Sequence, residues 1–156
     1  MEVALTLDIP GLGPLELEHL LLDVNGTLTD RGDLLEGVDE RLARLGRRLH
    51  VLLATADTFG TLDSLVRELR TEGVRVDDGR QKLQLVERLG AERTIVIGNG
   101  ANDAFALEAA GLGIAVVGPE GASTAALAAA DVVCRSILDA LDLLLDERAL
   151  CATLRR

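Results

Sequence analysis

The chain has 156 residues, enough for one domain with a buried core, and carries a formal net charge of −10. That charge, with an isoelectric point near 4.6, argues against a nucleic-acid or anionic-membrane partner. Aromatic residues make up 1% of the chain, with no Trp or Tyr, so the core must be aliphatic.

Residues 2–8 alternate, as does part of 15–19, with Pro10-Gly11 and Gly13-Pro14 between, which predicts a β-hairpin over about 2–19. Residues 20–30 read LLLDVNGTLTD. Leu20 to Leu22 are apolar on both faces, as a strand inside a parallel sheet should be. That run stops at Asp23, and Asn25-Gly26 forces a turn. A carboxylate at the carboxyl end of a buried strand, followed by a glycine loop, is where open α/β sheets place ligands. Gly26 lets the backbone approach an anion, and Thr27 and Thr29 bring hydroxyl donors.

After a loop or small hairpin, residues 37–49 show helical spacing, weakened at Gly46. A second buried strand runs from Val51 to Ala54 and ends at Thr55. Asp57 or Thr58 can cap the next helix, about 59–70, with Leu62, Leu65, Val66 and Leu69 inward. A short strand at 73–76 and a helix at 80–89, with Lys82 in its first turn, follow. Thr94 to Ile97 is a third strong strand, closed by Gly98-Asn99-Gly100. A helix over 101–110, a strand over 113–117, an Ala-rich helix over 122–130, a short strand at 132–133 and helix over 136–155 complete the chain. Strands alternating with helices imply an α/β fold, a doubly wound parallel sheet with right-handed crossovers. Residues 1–156 read as a single domain without linker or repeat.

No apolar run approaches the roughly 18 residues of a membrane span, and Met1-Glu2 does not begin a basic-then-apolar leader. A soluble, cytoplasmic protein is expected. Cys134 and Cys151 lack metal-ligand spacing and read as thiols. Of sixteen basic residues only Lys82 is lysine, which marks a position where a compact ammonium is needed and a planar guanidinium would not serve. His19 and His50 stand beside strands, away from the motifs, and read as structural.

In a parallel sheet the ends of the three strong strands project on one edge. Asp23 with Asn25-Gly26-Thr27, then Thr55, then Asn99 with Asn102 and Asp103 therefore converge, with Lys82 arriving between the last two. A carboxylate that attacks phosphorus needs a cation, hydroxyl or amide donors for the phosphoryl oxygens, and usually Mg²⁺. Asp23, Asn99 and Asp103 supply the oxygen ligands that Mg²⁺ asks for.

These motifs resemble the haloacid dehalogenase superfamily of phosphohydrolases, and most of all its soluble P-type-ATPase-like members. The resemblance runs from LLLDVNGTLTD through ATADTFGT, Lys82 and IGNGANDAFAL to GIAVVGPEG, nearly the whole chain in the right order. It implies that Asp23 is a nucleophile that becomes an aspartyl-phosphate. Thr55 and Ala56 would bind phosphate together with Gly26 and Thr27, Lys82 would neutralise charge, and Asn102 would orient the phosphate. Asp23, Asn99, Asp103 and the carbonyl of Asn25 would hold Mg²⁺, and Asp57 would have a supporting role.

Two departures stand out. Phosphatases of this superfamily carry an acid/base Asp two residues after the nucleophile, where this chain has Asn25, which cannot transfer a proton. General acid–base help is worth about 10²–10⁴-fold, so turnover should be slow. The first position of the fourth motif, commonly Asp, is Asn99, a weaker ligand for a hard cation. The gaps from Asp23 to Thr55 and from Thr55 to Lys82 hold no separate cap domain. A capless site would be open to a phosphorylated small molecule or macromolecule, or lidded by a neighbouring subunit of a homo-oligomer. A non-catalytic phosphate-binding or regulatory protein is the alternative, as is P-type-like ATP hydrolysis, although no GxxxxGK[ST] loop is present to hold nucleotide.

Overall fold

In the computed structural model, which describes residues 4–56 and 61–156, strand β3 (His19–Asp23) lies at the centre of a six-stranded sheet. Leu20, Leu21 and Leu22 are all buried, which matches an apolar run that must face core on both sides. Its neighbours are β6 (His50–Thr55) and β8 (Thr94–Gly98), both parallel to it. Outside β6 lies β7 (Glu72–Arg75), and outside β8 lie β9 (Leu112–Val116) and β10 (Val132–Cys134). The order is therefore β10-β9-β8-β3-β6-β7, all parallel.

The period-two alternation of each strand divides the core into two layers. Leu20, Leu22, Leu53, Ile95, Ile97 and Ile114 point to one face, covered by α1 (Val38–Leu45), α2 (Thr61–Leu69), α6 (Ile137–Leu145) and α7 (Glu147–Leu154). Leu21, Leu52, Val96 and Ala54 point to the other, covered by α3 (Gly79–Leu89), α4 (Ala104–Ala109) and α5 (Thr124–Ala129). An antiparallel hairpin of β1 (Leu5–Ile9) and β2 (Gly13–Leu17) adds Leu5, Leu7, Ile9 and Leu17 to the first layer. A small hairpin of β4 (Thr29–Asp30) and β5 (Asp33–Leu34) follows β3 directly. Between β3 and β6 the chain holds only that flap and α1, so the edge at the end of β3 carries no cap domain there.

Several helices differ from the periodicity. The helix expected over 37–49 ends at Leu45, because Gly46 caps it with its N–H on the Leu42 and Arg44 carbonyls. Leu49 stays buried all the same. The segment 136–155 is two helices, since the Asp146 side chain accepts from Ala149 N and starts a new one. The expected 101–110 helix opens as a 3-10 turn over Ala101–Asp103. The 122–130 helix is shorter, starting after Ser123, whose hydroxyl accepts from Ala126 N. The capping candidates Asp57 and Thr58 lie outside the described residues.

His19 and His50 are the first residues of β3 and β6 and pair in register. Their Nδ1 atoms are 3.1 Å apart, at the sheet edge opposite Asp23. The other ring nitrogen of His50, Nε2, is hydrogen-bonded to the Glu72 carboxylate. Cys134 is buried and Cys151 half-buried, both as free thiols. Among the described residues no helix is long and apolar enough to cross a membrane.

Candidate active site

Asp23 ends the central strand. The loop after it closes on one carbonyl: Val24 O accepts from Thr27 N, Leu28 N and Thr29 N. Gly26 makes this turn with φ of +75°, a conformation that favours glycine. The turn swings the Thr27 hydroxyl back to 3.2 Å from Asp23 Oδ2 and 3.3 Å from Asn99 Oδ1. One hydroxyl proton thus serves two acceptors on two strand ends. Thr29, expected to offer a hydroxyl to an anion, instead donates to Val24 O and braces the loop.

Lys82 arrives from the opposite side. The Asp78 carboxylate caps α3 by accepting from Gln81 N, which sets Lys82 in the first turn, facing the sheet edge. Its Nζ donates to Asp103 Oδ1 at 2.5 Å and to Asp23 Oδ1 at 3.2 Å. The Lys82 side chain is only 2% exposed. Asp103, fully buried, turns its other oxygen to the amides of Asn99 and Gly100 at 3.1 and 2.9 Å. Gly98 ends β8 beneath this carboxylate, and a Cβ there would fall 2.4 Å from Asp103 Cγ, so glycine is required for space.

Two carboxylates and one ammonium leave this cluster with one negative charge. Burial, and then the nearby Asp103 charge, push the Asp23 carboxyl up to about 6, although Lys82 and the Thr27 hydroxyl pull it back. For Lys82, burial alone would favour the neutral amine. The Asp23 and Asp103 carboxylates outweigh it, and the ammonium is held above its ordinary value.

The structure brings together Asp23, Thr27, Lys82, Asn99 and Asp103. Thr55 is buried at the end of β6, one residue past the register partner of Asp23, with Ala56 exposed after it. Asn25 is exposed on the turn. Asn102 is exposed too, its backbone packed against Gly79 and its amide oxygen against Gly100. Asp57 lies outside the described residues. The sequence reading missed Glu120, whose carboxylate packs against Gly26, and Gly121, whose carbonyl accepts from Asn99 Nδ2 at 3.3 Å. A Gly-Pro-Glu-Gly turn carries no pattern that separates it from an ordinary loop.

The family model of the haloacid dehalogenase-like hydrolases matches residues 5–111. The chain belongs to that family. As a haloacid dehalogenase-like hydrolase it has 47% identity over 78 residues to an uncharacterized protein of Methanocaldococcus jannaschii, covering 47% of this chain and 84% of that one. The fold is also that of the 3-deoxy-D-manno-octulosonate 8-phosphate phosphatase from Moraxella catarrhalis, solved with magnesium, phosphate and KDO. That likeness has a TM-score of 0.65 and 20% identity, and covers 89% of this chain and 94% of that one. A zinc-transporting PIB-type ATPase in its E2.Pi state matches with a TM-score of 0.65 and 23% identity over 76% of this hydrolase, which spans 20% of that chain.

The donor chemistry of the edge suits a hard cation. Asp23 and Asp103 offer carboxylate oxygens, Asn99 an amide oxygen and Asn25 a carbonyl. Among the described residues no three His, Cys, Asp or Glu side chains gather to hold an ion alone. Mg²⁺ does not require that, since it binds through one or two carboxylates and fills its shell with water and substrate phosphate. The residues fit Mg²⁺ and lack the nitrogen and sulfur donors that zinc prefers.

Proposed function

We propose that this hydrolase is a Mg²⁺-dependent phosphatase that works through an aspartyl-phosphate on Asp23. The observation that carries the reading is the Asp23 carboxylate at the end of the central strand, gripped by Lys82 on one oxygen and by Thr27 on the other. Held in this way, the carboxylate is oriented before substrate arrives, and orientation is a large part of catalysis. Asp23 attacks phosphorus, the P–O bond to the leaving group breaks, and water then attacks the phosphorus of the aspartyl-phosphate to release inorganic phosphate and the free carboxylate.

Lys82 balances negative charge as the phosphoryl group joins Asp23, and its burial makes that charge effective. Thr55 and Ala56 bind phosphoryl oxygens, as do Gly26 and Thr27, and Asn102 lies at the rim. Asp23, Asn99, Asp103 and the Asn25 carbonyl would hold Mg²⁺, which would supply positive charge against the phosphoryl oxygens. Asn25 cannot protonate a leaving group, so turnover is slow and best with leaving groups that need no proton. The uncapped edge suits a phosphorylated small molecule or macromolecule in the cytoplasm, or a lid borrowed from a second copy.

The test is phosphate release from p-nitrophenyl phosphate with Mg²⁺, compared with Asp23→Asn. Release by the native chain and none by the variant is expected. Without release from either, Asn25 favours the second reading, a phosphate-binding or regulatory protein. A stalled phospho-Asp23, seen as added phosphate by intact mass, would separate a blocked enzyme from a pure binder.

A further inference from the structure

The central sheet ends in two edge strands that differ in what they present. At one edge β7 carries Glu72 and Arg75. Their side chains leave opposite faces of the sheet, so no antiparallel register sets one against the other. The other edge is β10, with Asp131 just before it and Arg135 just after it. Val132 and Cys134 are buried, whereas Asp131, Val133 and Arg135 are exposed, Val133 by 52%. This alternation puts an acid, an apolar residue and a base on one face, in that order. Val133 and its neighbour Val117 are two of only four large apolar residues left exposed among the described residues.

Both ends of the strand are fixed. Asp131 N donates to Gly113 O, and Asp131 Oδ2 accepts from Gly113 N, each at 2.8 Å. At the other end Cys134 O accepts from Val117 N, and the Ser136 hydroxyl caps α6. The edge is therefore ordered before a partner arrives, which lowers the entropy lost on pairing. Asp131 Oδ1 and the Arg135 guanidinium have no partner among the described residues.

We infer that this edge is a self-association surface, on which β10 pairs antiparallel with β10 of a second copy about a two-fold axis through Val133. Two six-stranded sheets then become one continuous sheet. A two-fold contact sets a patch against itself, so the patch must be self-complementary. Pairing about Val133 sets Asp131 beside Arg135 of the second copy at one end and repeats that pair at the other. Val133 meets Val133 between them, and opposite charges and apolar pairs across strands both favour the contact. Moving the axis to Val132 or Cys134 sets a charge against Val133, so the register is specified. The backbone groups of the edge gain partners as well. The strand is short, and its contact lies below the roughly 1,200 Å² of stable complexes, so the dimer is weak. Because the axis stands normal to the sheet, Asp23 points in opposite directions in the two copies, and neither site is covered.

Sedimentation velocity of the full chain from micromolar to millimolar concentration tests this, with melting temperatures to monitor folding. The native chain should pass from monomer to dimer. Arg135→Asp sets acid against acid at both ends and should weaken the dimer about 10-fold or more while melting as the native chain does. Asp131→Arg sets base against base and should also be monomeric, with a lower melting temperature because the bond to Gly113 N is lost. An equimolar mixture of the two variants should dimerise again, since every acid then meets a base. A native chain that stays monomeric at millimolar concentration overturns the inference. So does a dimer that Arg135→Asp leaves intact, or a mixture of the two folded variants that stays monomeric. If Asp131→Arg does not fold, the comparison of Arg135→Asp with the native chain decides alone.

Discussion

Lys82 Nζ and Asp103 Oδ1 lie 2.5 Å apart in the deepest part of the candidate site, with both side chains almost wholly screened from water. The ammonium is the cation shared by two buried carboxylates, so its removal strands like charges together. Lys82→Met should cost about 3–5 kcal/mol at pH 8, the usual penalty for breaking a buried pair. The loss should shrink in acid, where Asp23 takes up a proton. Thermal melts from pH 4 to 8 check this, and a constant loss across that range would refute it. Lys82→Arg should not rescue activity, because the guanidinium fork is larger and differently shaped.

The raised Asp23 carboxyl has a kinetic consequence. A nucleophile must be ionised, so kcat/KM should fall about tenfold per pH unit below a midpoint near 6. Rising Mg²⁺ should move that limb to lower pH, since a bound cation favours the carboxylate. A profile flat down to pH 4.5 at low Mg²⁺ would remove Asp23 from this role.

The same group acts on stability with the opposite sense from an ordinary salt-bridged aspartate. Its ordinary value is 3.8 and its folded value about 6, so between these the folded chain holds a proton that the unfolded chain has released. The contribution is fully present below about pH 4 and is lost as pH rises through 6. Asp23→Asn carries no such penalty. Without divalent ions it should be more stable than the native chain at pH 8, by about 2–3 kcal/mol for a shift of two units. The gap should close below pH 4. Denaturant titrations at pH 4, 6 and 8 measure it.

Asn25 is exposed on the turn, and exchange for aspartate touches no packing. Asn25→Asp should raise turnover of alkyl phosphates by about 10²-fold, within the range of general acid–base catalysis. The gain on p-nitrophenyl phosphate should be smaller, since nitrophenolate leaves without a proton. Equal gains on both substrates would show that proton transfer is not what Asn25 lacks.

Gly98→Ala tests the floor of the site. The added methyl would overlap Asp103 Cγ, and Asp103 is fixed by Lys82 and by two backbone amides. A destabilisation of about 1–3 kcal/mol is expected from overpacking, with activity lost as the carboxylate shifts. A variant with native melting and native turnover would show that Asp103 has room to move.

The sequence alone determined the strands and their class of sheet. Leu20 to Leu22, Val51 to Ala54 and Thr94 to Ile97 are apolar on both faces, and only a sheet covered by helices on both sides buries such runs. It also placed the strand ends at Asp23, Thr55 and Asn99 on one edge, because the strands of a parallel sheet all end on the same side, while that β6 and β8 flank β3 directly came from the structure. Helix ends were less legible. Gly46 and Asp146 sit within helical periodicity, yet the first terminates α1 and the second starts α7, and capping is decided by side-chain geometry rather than by pattern. Only the tertiary structure decided that Lys82 joins Asp23 to Asp103, that Thr27 bridges Asp23 and Asn99, and that Glu120 packs against Gly26. Those contacts join residues far apart along the chain, and their partners are chosen by how the strand-end loops pack on one another, a relation that no local pattern of residues encodes.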